Sequence, residues 1–179
     1  VEGFGVAFDA ERRDGVVLRN VSVVDQGSIG IRLRGDGWLV ANATVSGSRT
    51  TGVEVNGGGT VQNTTVERAT TGARSVGKAD WTVTDSRITG DTIGVDASGS
   101  SGDWTITDSV VSGDRAVTAV ETTGAWTLTQ SVLRNYTVGV NATGATVTGD
   151  ATAVYWDDGD APTTAPNGSD AGSLGRGSG

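Results

Sequence analysis

Three residue types that carry much of protein chemistry are missing from this 179-residue chain, which has no cysteine, no histidine and no methionine. The lack of cysteine excludes disulfides, thiolate metal sites and cysteine nucleophiles. The lack of histidine removes the commonest general base and metal ligand. Copper is held by histidine, cysteine or methionine, so a copper site is excluded as well. We therefore expect no cofactor.

Helix-forming and membrane-spanning sequence is also scarce. The chain has 6 Leu and 5 Ile against 26 Thr and 25 Val. Threonine and valine favour strands, and so few leucines argue against helices. No apolar run approaches the roughly 18 residues that a membrane span needs. The composition predicts an all-β protein without a membrane-inserting segment, and the length suits one domain or two small ones.

Positive charge is limited to 12 Arg and a single Lys, and the net charge is −8. This balance disfavours nucleic acids and anionic membranes as partners. Asp-rich, Lys-poor chains resemble proteins of salt-loving archaea, in which dense carboxylates hydrate the surface and salt screens their repulsion. The alternative is an acidic secreted protein of ordinary origin. We expect an extracellular or cell-surface location.

One repeat of about 22 residues runs through the chain. Its clearest column is polar and is followed three residues later by an aliphatic residue. The column contains Asn20, Asn42, Asn63, Asp85, Asp108 and Gln130. A second segment, of the type Gly30-Ile31 or Gly52-Val53, repeats in phase with it. A unit this short cannot bury its own apolar face, so it must stack on its neighbours as coils whose parallel strands lie about 4.8 Å apart.

The pattern Gly-(Val/Ile)-x-(Val/Leu), followed by (Val/Ile/Leu)-x-(Asn/Asp)-x-x-(Val/Ile/Leu), resembles the right-handed parallel β-helix repeats of pectate lyases, polygalacturonases, NosD-like proteins and haloarchaeal surface proteins. The resemblance implies an all-β, right-handed parallel β-helix of about six to seven coils over residues 1–157. Residues 158–179 have the composition of a disordered linker. Because residue 1 falls within a coil, we expect the helix to be cut at its N-terminal end, where unpaired edges would favour end-to-end self-association.

Two repeat columns have both structural and functional interpretations. The asparagines resemble the amide ladder of β-helices, and Asp85 and Asp108 continue it. Carboxylates one strand apart repel, so this pair is interpreted as a hydrated turn, with a calcium site as the alternative. A tryptophan column is predicted to form an interior stack, with a carbohydrate platform as the alternative. It comprises Trp38, Trp81, Trp104 and Trp126.

Two further columns are predicted to face outward. The first comprises Arg32, Glu54, Arg74 and Asp96, continued by Glu121 and Asn141. It is interpreted as an ion-pair ladder that fixes the register, and its first four residues are also candidate contacts for an acidic sugar. The second is a Thr-x-Thr rank made of Thr82, Thr84, Thr105, Thr107, Thr127, Thr129, Thr146 and Thr148. The rank resembles the flat ice-binding faces of β-helical antifreeze proteins, although strand propensity alone also explains it.

Six of the seven asparagines begin an Asn-x-Ser/Thr sequon. Three of these asparagines belong to the polar column, where their amides are expected to be occupied. The other three are Asn135, Asn141 and Asn167, which we predict to be the better glycan acceptors.

The family resemblance leaves the activity open. Polygalacturonase-like catalysis needs a histidine, which the chain lacks. Pectate-lyase-like catalysis needs an Arg or Lys base beside a calcium ion held by aspartates, and long loops around a cleft, whereas these coils are close to minimal length. The unusual features are the Arg12-Arg13-Asp14 corner and the pair Asp91 and Asp114. We therefore expect no catalytic residue and predict a non-catalytic surface module that displays or binds polysaccharide or protein. A polysaccharide lyase or hydrolase and an ice-binding protein remain alternatives.

Overall fold

The computed structural model describes residues 5–24, 27–142 and 149–156, and every regular element in these ranges is a β-strand. The strands form three parallel ladders along the stack of coils. The first ladder contains β1 (Val6–Ala10), β4 (Ile29–Arg34), β7 (Thr51–Asn56), β10 (Thr71–Ser75) and β13 (Ile93–Ala97). The second contains β2 (Val17–Arg19), β5 (Trp38–Ala41), β8 (Gly59–Gln62), β11 (Trp81–Thr84), β14 (Trp104–Thr107), β16 (Trp126–Thr129) and β18 (Gly149–Thr152).

The third ladder contains β3 (Ser22–Val24), β6 (Thr44–Ser46), β9 (Thr65–Glu67), β12 (Arg87–Gly90) and β19 (Tyr155–Trp156). Two longer strands, β15 (Val110–Thr122) and β17 (Val132–Ala142), pass through the corner between the third and first ladders and belong to both. Every pairing between coils is parallel, and equivalent repeat positions face each other, such as Val83 and Ile106. The parallel coil stack predicted from the repeat is confirmed.

The core is a set of aliphatic columns, one for each inward position of a ladder. Ile31, Val83, Ile106 and Leu128 are fully buried. Strand side chains alternate between the two faces. Each inward residue of a strand therefore stacks on the residue at the equivalent position in the next coil. Full burial of each such side chain stabilises the fold by about 1.5–3 kcal/mol.

The corner between the second and third ladders depends on one left-handed residue per coil. Its positions are Asn20, Asn42, Asn63, Asp85, Asp108, Gln130 and Ala153, with φ between 44° and 55°. Asparagine and aspartate tolerate this conformation better than most residues. The Nδ2 of Asn42 donates to Asn20 Oδ1 at 3.3 Å, and the Nδ2 of Asn63 donates to Asn42 Oδ1 at 2.8 Å. The predicted asparagine ladder is confirmed.

A column of buried hydroxyls directly follows these corner residues, and the sequence analysis missed it. The Oγ of Ser109 donates to the carbonyl of Thr107 at 2.7 Å and accepts the backbone N–H of Ser86 at 3.1 Å. Thr64, Ser86 and Ser131 make the same pair of bonds. Each hydroxyl satisfies a buried backbone N–H that would otherwise have no partner.

The tryptophans lie inside the helix, as predicted, but they do not form one continuous stack. Trp38, Trp81 and Trp104 are each 2 % exposed, whereas Trp126 is half-buried. The rings of Trp104 and Trp126 stack with centroids 6.0 Å apart. The ring of Trp38 instead covers Gly59, where a Cβ atom would overlap it.

Candidate functional site

The charged column on the outer face of the first ladder is an ion-pair ladder. Arg32 binds Asp9 at 3.4 Å and Glu54 at 2.9 Å, and Arg74 lies 3.4 Å from Asp96. The backbone register places all five residues in one row. The geometry matches the register-fixing interpretation, in which each ion pair near the surface contributes about 0–1 kcal/mol.

Three of the four candidate sugar contacts offer little accessible surface. The exposed fractions of the side chains are 21 % for Arg32, 14 % for Glu54, 43 % for Arg74 and 11 % for Asp96. Asp96 also accepts hydrogen bonds from the backbone N–H and the hydroxyl of Ser98. Arg74 is therefore the most accessible of the four. Further along the column, Asn141 is exposed, and the side chain of Glu121 lies outside the described part of the chain.

A groove of about 620 Å³ lies at the corner between the first and second ladders. It forms because successive coils turn this corner with segments of different length. Coils two and three use residues 35–37 and 57–58, which are mostly glycine, whereas coils one and four use the longer segments 11–16 and 76–80. The corner groove is lined chiefly by Arg12, Asp14, Arg34, Asp36, Glu54, Asn56 and Lys78.

Aspartates fix the floor of the corner groove. The Oδ1 of Asp14 accepts the backbone N–H of Asp36 at 2.9 Å, and the Oδ1 of Asp36 accepts that of Gly58 at 2.8 Å. Each carboxylate thus joins its coil to the next. Arg34 is paired with Glu11 at 2.8 Å, so its charge is already matched.

Two cations stand on opposite walls of the corner groove. Neither Arg12 nor Lys78 is paired with a carboxylate in the described ranges. They belong to coils three steps apart, which corresponds to about 14 Å at the usual strand spacing. The groove can therefore hold a polar ligand whose anionic groups reach either cation and whose hydroxyls meet Asp36 and Asn56. Of these groove residues, Arg12 stands out in the sequence, whereas Lys78 and Asp36 were not predicted, although the short glycine corners are a usable signal.

The comparison with protein families identifies the type of β-helix. Residues 5–160 match the right-handed β-helix region. The chain belongs to the right-handed β-helix family. No curated protein matches the sequence. In the described ranges, no helix is long and apolar enough to cross a membrane.

The threonine rank lies on the outer face of the second ladder of this β-helix. Thr82, Thr105 and Thr127 are aligned, as are Thr84, Thr107 and Thr129, and all six are half-buried. Thr146 and Thr148 lie outside the described residues. The strand that pairs with β16 is β18, which places Asp150 and Thr152 at the next positions of the rank. The rank thus has three complete Thr-x-Thr pairs and meets a carboxylate at its C-terminal end.

The acidic candidates lie on the surface of the β-helix. Asp85 and Asp108 are exposed corner residues of consecutive coils, and each accepts a hydrogen bond from the preceding threonine. Asp91 is also exposed, and the side chain of Asp114 lies outside the described part of the chain. Within the described ranges, no group of three or more acidic side chains could hold a metal ion.

Of the three predicted glycan acceptors, Asn135 and Asn141 are exposed, and Asn167 lies outside the described residues. The predicted linker, residues 158–179, also lies outside the described residues, which end at residue 156.

Proposed function

We propose that this β-helix is a non-catalytic module of an extracellular or cell-surface protein and that it binds polysaccharide in the corner groove. The observation that carries the proposal is the pair of unpaired cations, Arg12 and Lys78, on either side of a glycine floor. Sugar hydroxyls suit the carboxylates and the amide of the groove, and a sugar acid suits its cations. The acidic composition suits a salt-rich environment.

The arrangement of the arginines supports binding rather than turnover. Arg32 and Arg74 on the first-ladder face each contact a carboxylate, so both guanidinium groups already have an ionic partner. In the corner groove, Asp14 and Asp36 already accept backbone N–H groups. The groove therefore offers recognition groups in fixed positions: one oxygen of each aspartate joins the coils, and the other can accept a sugar hydroxyl.

The test is a titration of the β-helix with polygalacturonate, alginate, hyaluronan and neutral dextran, at low and at physiological ionic strength. Arg12→Ala and Lys78→Ala should each weaken binding of the acidic chains several-fold, and the double variant should abolish it. Arg87→Ala is the matched control, because Arg87 is exposed on the third ladder, away from the groove. Its binding should equal that of the wild type.

Equal affinity of all five proteins for the acidic chains would contradict the proposed groove. The same incubations are followed for unsaturated sugar ends and for new reducing ends. Turnover that Arg12→Ala or Arg74→Ala abolishes would instead establish the lyase or hydrolase alternative.

A further inference from the structure

Two sequons of this β-helix share a left-handed asparagine and differ in the environment of the acceptor amide. Asn63 and Asn135 both have a left-handed conformation, with φ of 44° and 55°. In each sequon the middle residue is buried and the third is a threonine, Thr65 or Thr137. The two acceptors thus share a left-handed conformation, although Asn63 precedes β9 and Asn135 lies within β17, and they differ in the contacts of the amide.

The amide of Asn63 is occupied. Its Nδ2 donates to Asn42 Oδ1 at 2.8 Å, and the Nδ2 of Asn42 in turn donates to Asn20 at 3.3 Å. A sugar on Asn63 would replace one N–H of an amide that lies against the next amide of the ladder. Transfer of the sugar needs access to this nitrogen, which the ladder bond holds against Asn42, so we expect that bond to open before Asn63 can react.

The amide of Asn135 is free. The residue is exposed, and no described residue bonds its side chain. Tyr136 points inward and is 8 % exposed, whereas Thr137 points outward and is exposed. The strand pleat thus places the asparagine and the threonine of the sequon on the same open side. Asn135 belongs to the corner between the third and first ladders, so a glycan there would leave the corner groove unobstructed.

We propose that Asn135 is a site of N-linked glycosylation and that the fold protects the ladder asparagines Asn42 and Asn63. The donor is an oligosaccharide linked through diphosphate to a polyprenyl lipid. A bond forms between Nδ2 of Asn135 and C1 of the sugar, and the bond from C1 to the diphosphate oxygen breaks. The amide loses one proton, and the lipid diphosphate leaves with the electron pair. The proposal does not depend on polysaccharide binding in the corner groove.

The test incubates the folded full chain with a purified oligosaccharyltransferase and a synthetic polyprenyl-diphosphate oligosaccharide. All proteins carry Asn141→Gln and Asn167→Gln, and peptide mass spectrometry locates the sugar. We expect the Asn135 peptide to be modified, and the modification to disappear in both Asn135→Gln and Thr137→Val. The Asn63 peptide should remain unmodified. Asn42→Ala removes the acceptor of the Asn63 amide, so this variant should gain sugar at Asn63 and keep it at Asn135.

Absence of sugar at Asn135, when the same enzyme modifies a free sequon peptide, would overturn the proposal. Equal modification of Asn63 and Asn135 in the folded protein would also overturn it. If Asn42→Ala melts like the wild type and Asn63 still stays unmodified, protection by the ladder hydrogen bond is refuted.

Discussion

The indole N–H of Trp104 donates a 2.7 Å hydrogen bond to the hydroxyl of Thr122, in the first-ladder strand of the next coil. One coil earlier, Trp81 takes the place of Trp104, and Ala97 takes the place of Thr122. Alanine offers no acceptor, and the Nε1 of Trp81 is buried without a partner. The buried indole N–H thus has a hydrogen-bond acceptor in one coil and has none in the neighbouring coil.

Ala97→Ser should stabilise the protein, because the new hydroxyl lies where Thr122 accepts from Trp104. A buried N–H that gains a partner contributes about 1 kcal/mol to the free energy of unfolding. Urea denaturation measures the change. The control is the same substitution in a Trp81→Phe background, where no N–H remains to be satisfied. An equal gain in both backgrounds would mean that the hydroxyl acts through some other contact.

Ser109→Ala should destabilise the β-helix, because it leaves the buried N–H of Ser86 without its acceptor. An unsatisfied buried group of this kind costs about 1–3 kcal/mol. Ser101→Ala is the matched control: Ser101 is exposed, and its hydroxyl makes no bond within the described ranges, so the change should stay within about 0.5 kcal/mol. Similar free energies of unfolding for the two variants would show that the hydroxyl column does not join the coils energetically.

The regular parts of the fold could be predicted from the sequence because they repeat. The 22-residue period fixed which residues stack, and strand alternation then placed Trp104 inside and Arg32 outside. What depends on differences between coils could not be predicted. The corner groove exists only because residues 57–58 turn more tightly than residues 76–80. This difference is between coils, so the pattern of a single repeat does not reveal it.

Local hydrogen bonding also escaped the sequence analysis. In this Thr-rich chain, four corners are followed by a hydroxyl residue that carries no distinctive signal, and its inward bond becomes evident only once φ is known; these residues are Thr64, Ser86, Ser109 and Ser131. Asp96 was correctly placed in the outward column, yet Ser98 folds back onto its carboxylate and the side chain is nearly buried. The repeat period predicted that Thr146 and Thr148 continue the Thr-x-Thr rank. The described strand of that coil is Gly149–Thr152.

Gly52→Ala should be strongly destabilising. A Cβ at Gly52 would overlap Cγ1 of Val66 and lie 2.7 Å from the carbonyl oxygen of Gly72, so both the third ladder and the next coil would have to move. Overpacking of this kind typically costs about 1–3 kcal/mol. Gly99→Ala is the control, since a Cβ there approaches no atom closer than 3.4 Å. Thermal melts that show equal losses for the two variants would refute the close packing of the first and third ladders.

Asp108→Asn should raise the melting temperature at low salt. Asp85 and Asp108 are corner residues of consecutive coils, so their carboxylates repel, and salt screens the repulsion only partly at low concentration. An amide at position 108 removes the repulsion and can donate to Asp85, as Asn63 donates to Asn42. Circular dichroism melts in dilute and in molar KCl should show a gain that shrinks as salt rises.

The reverse change, Gln130→Glu, places a third carboxylate beside Asp108 and should lower the melting temperature, again mainly at low salt. The wild type itself should become more stable as KCl rises. A melting temperature that does not change with KCl but rises at low calcium concentrations would contradict charge screening as the cause of the stabilisation. That result would instead identify Asp85 and Asp108 as a cation site, and Asp108→Asn would then abolish the response to calcium.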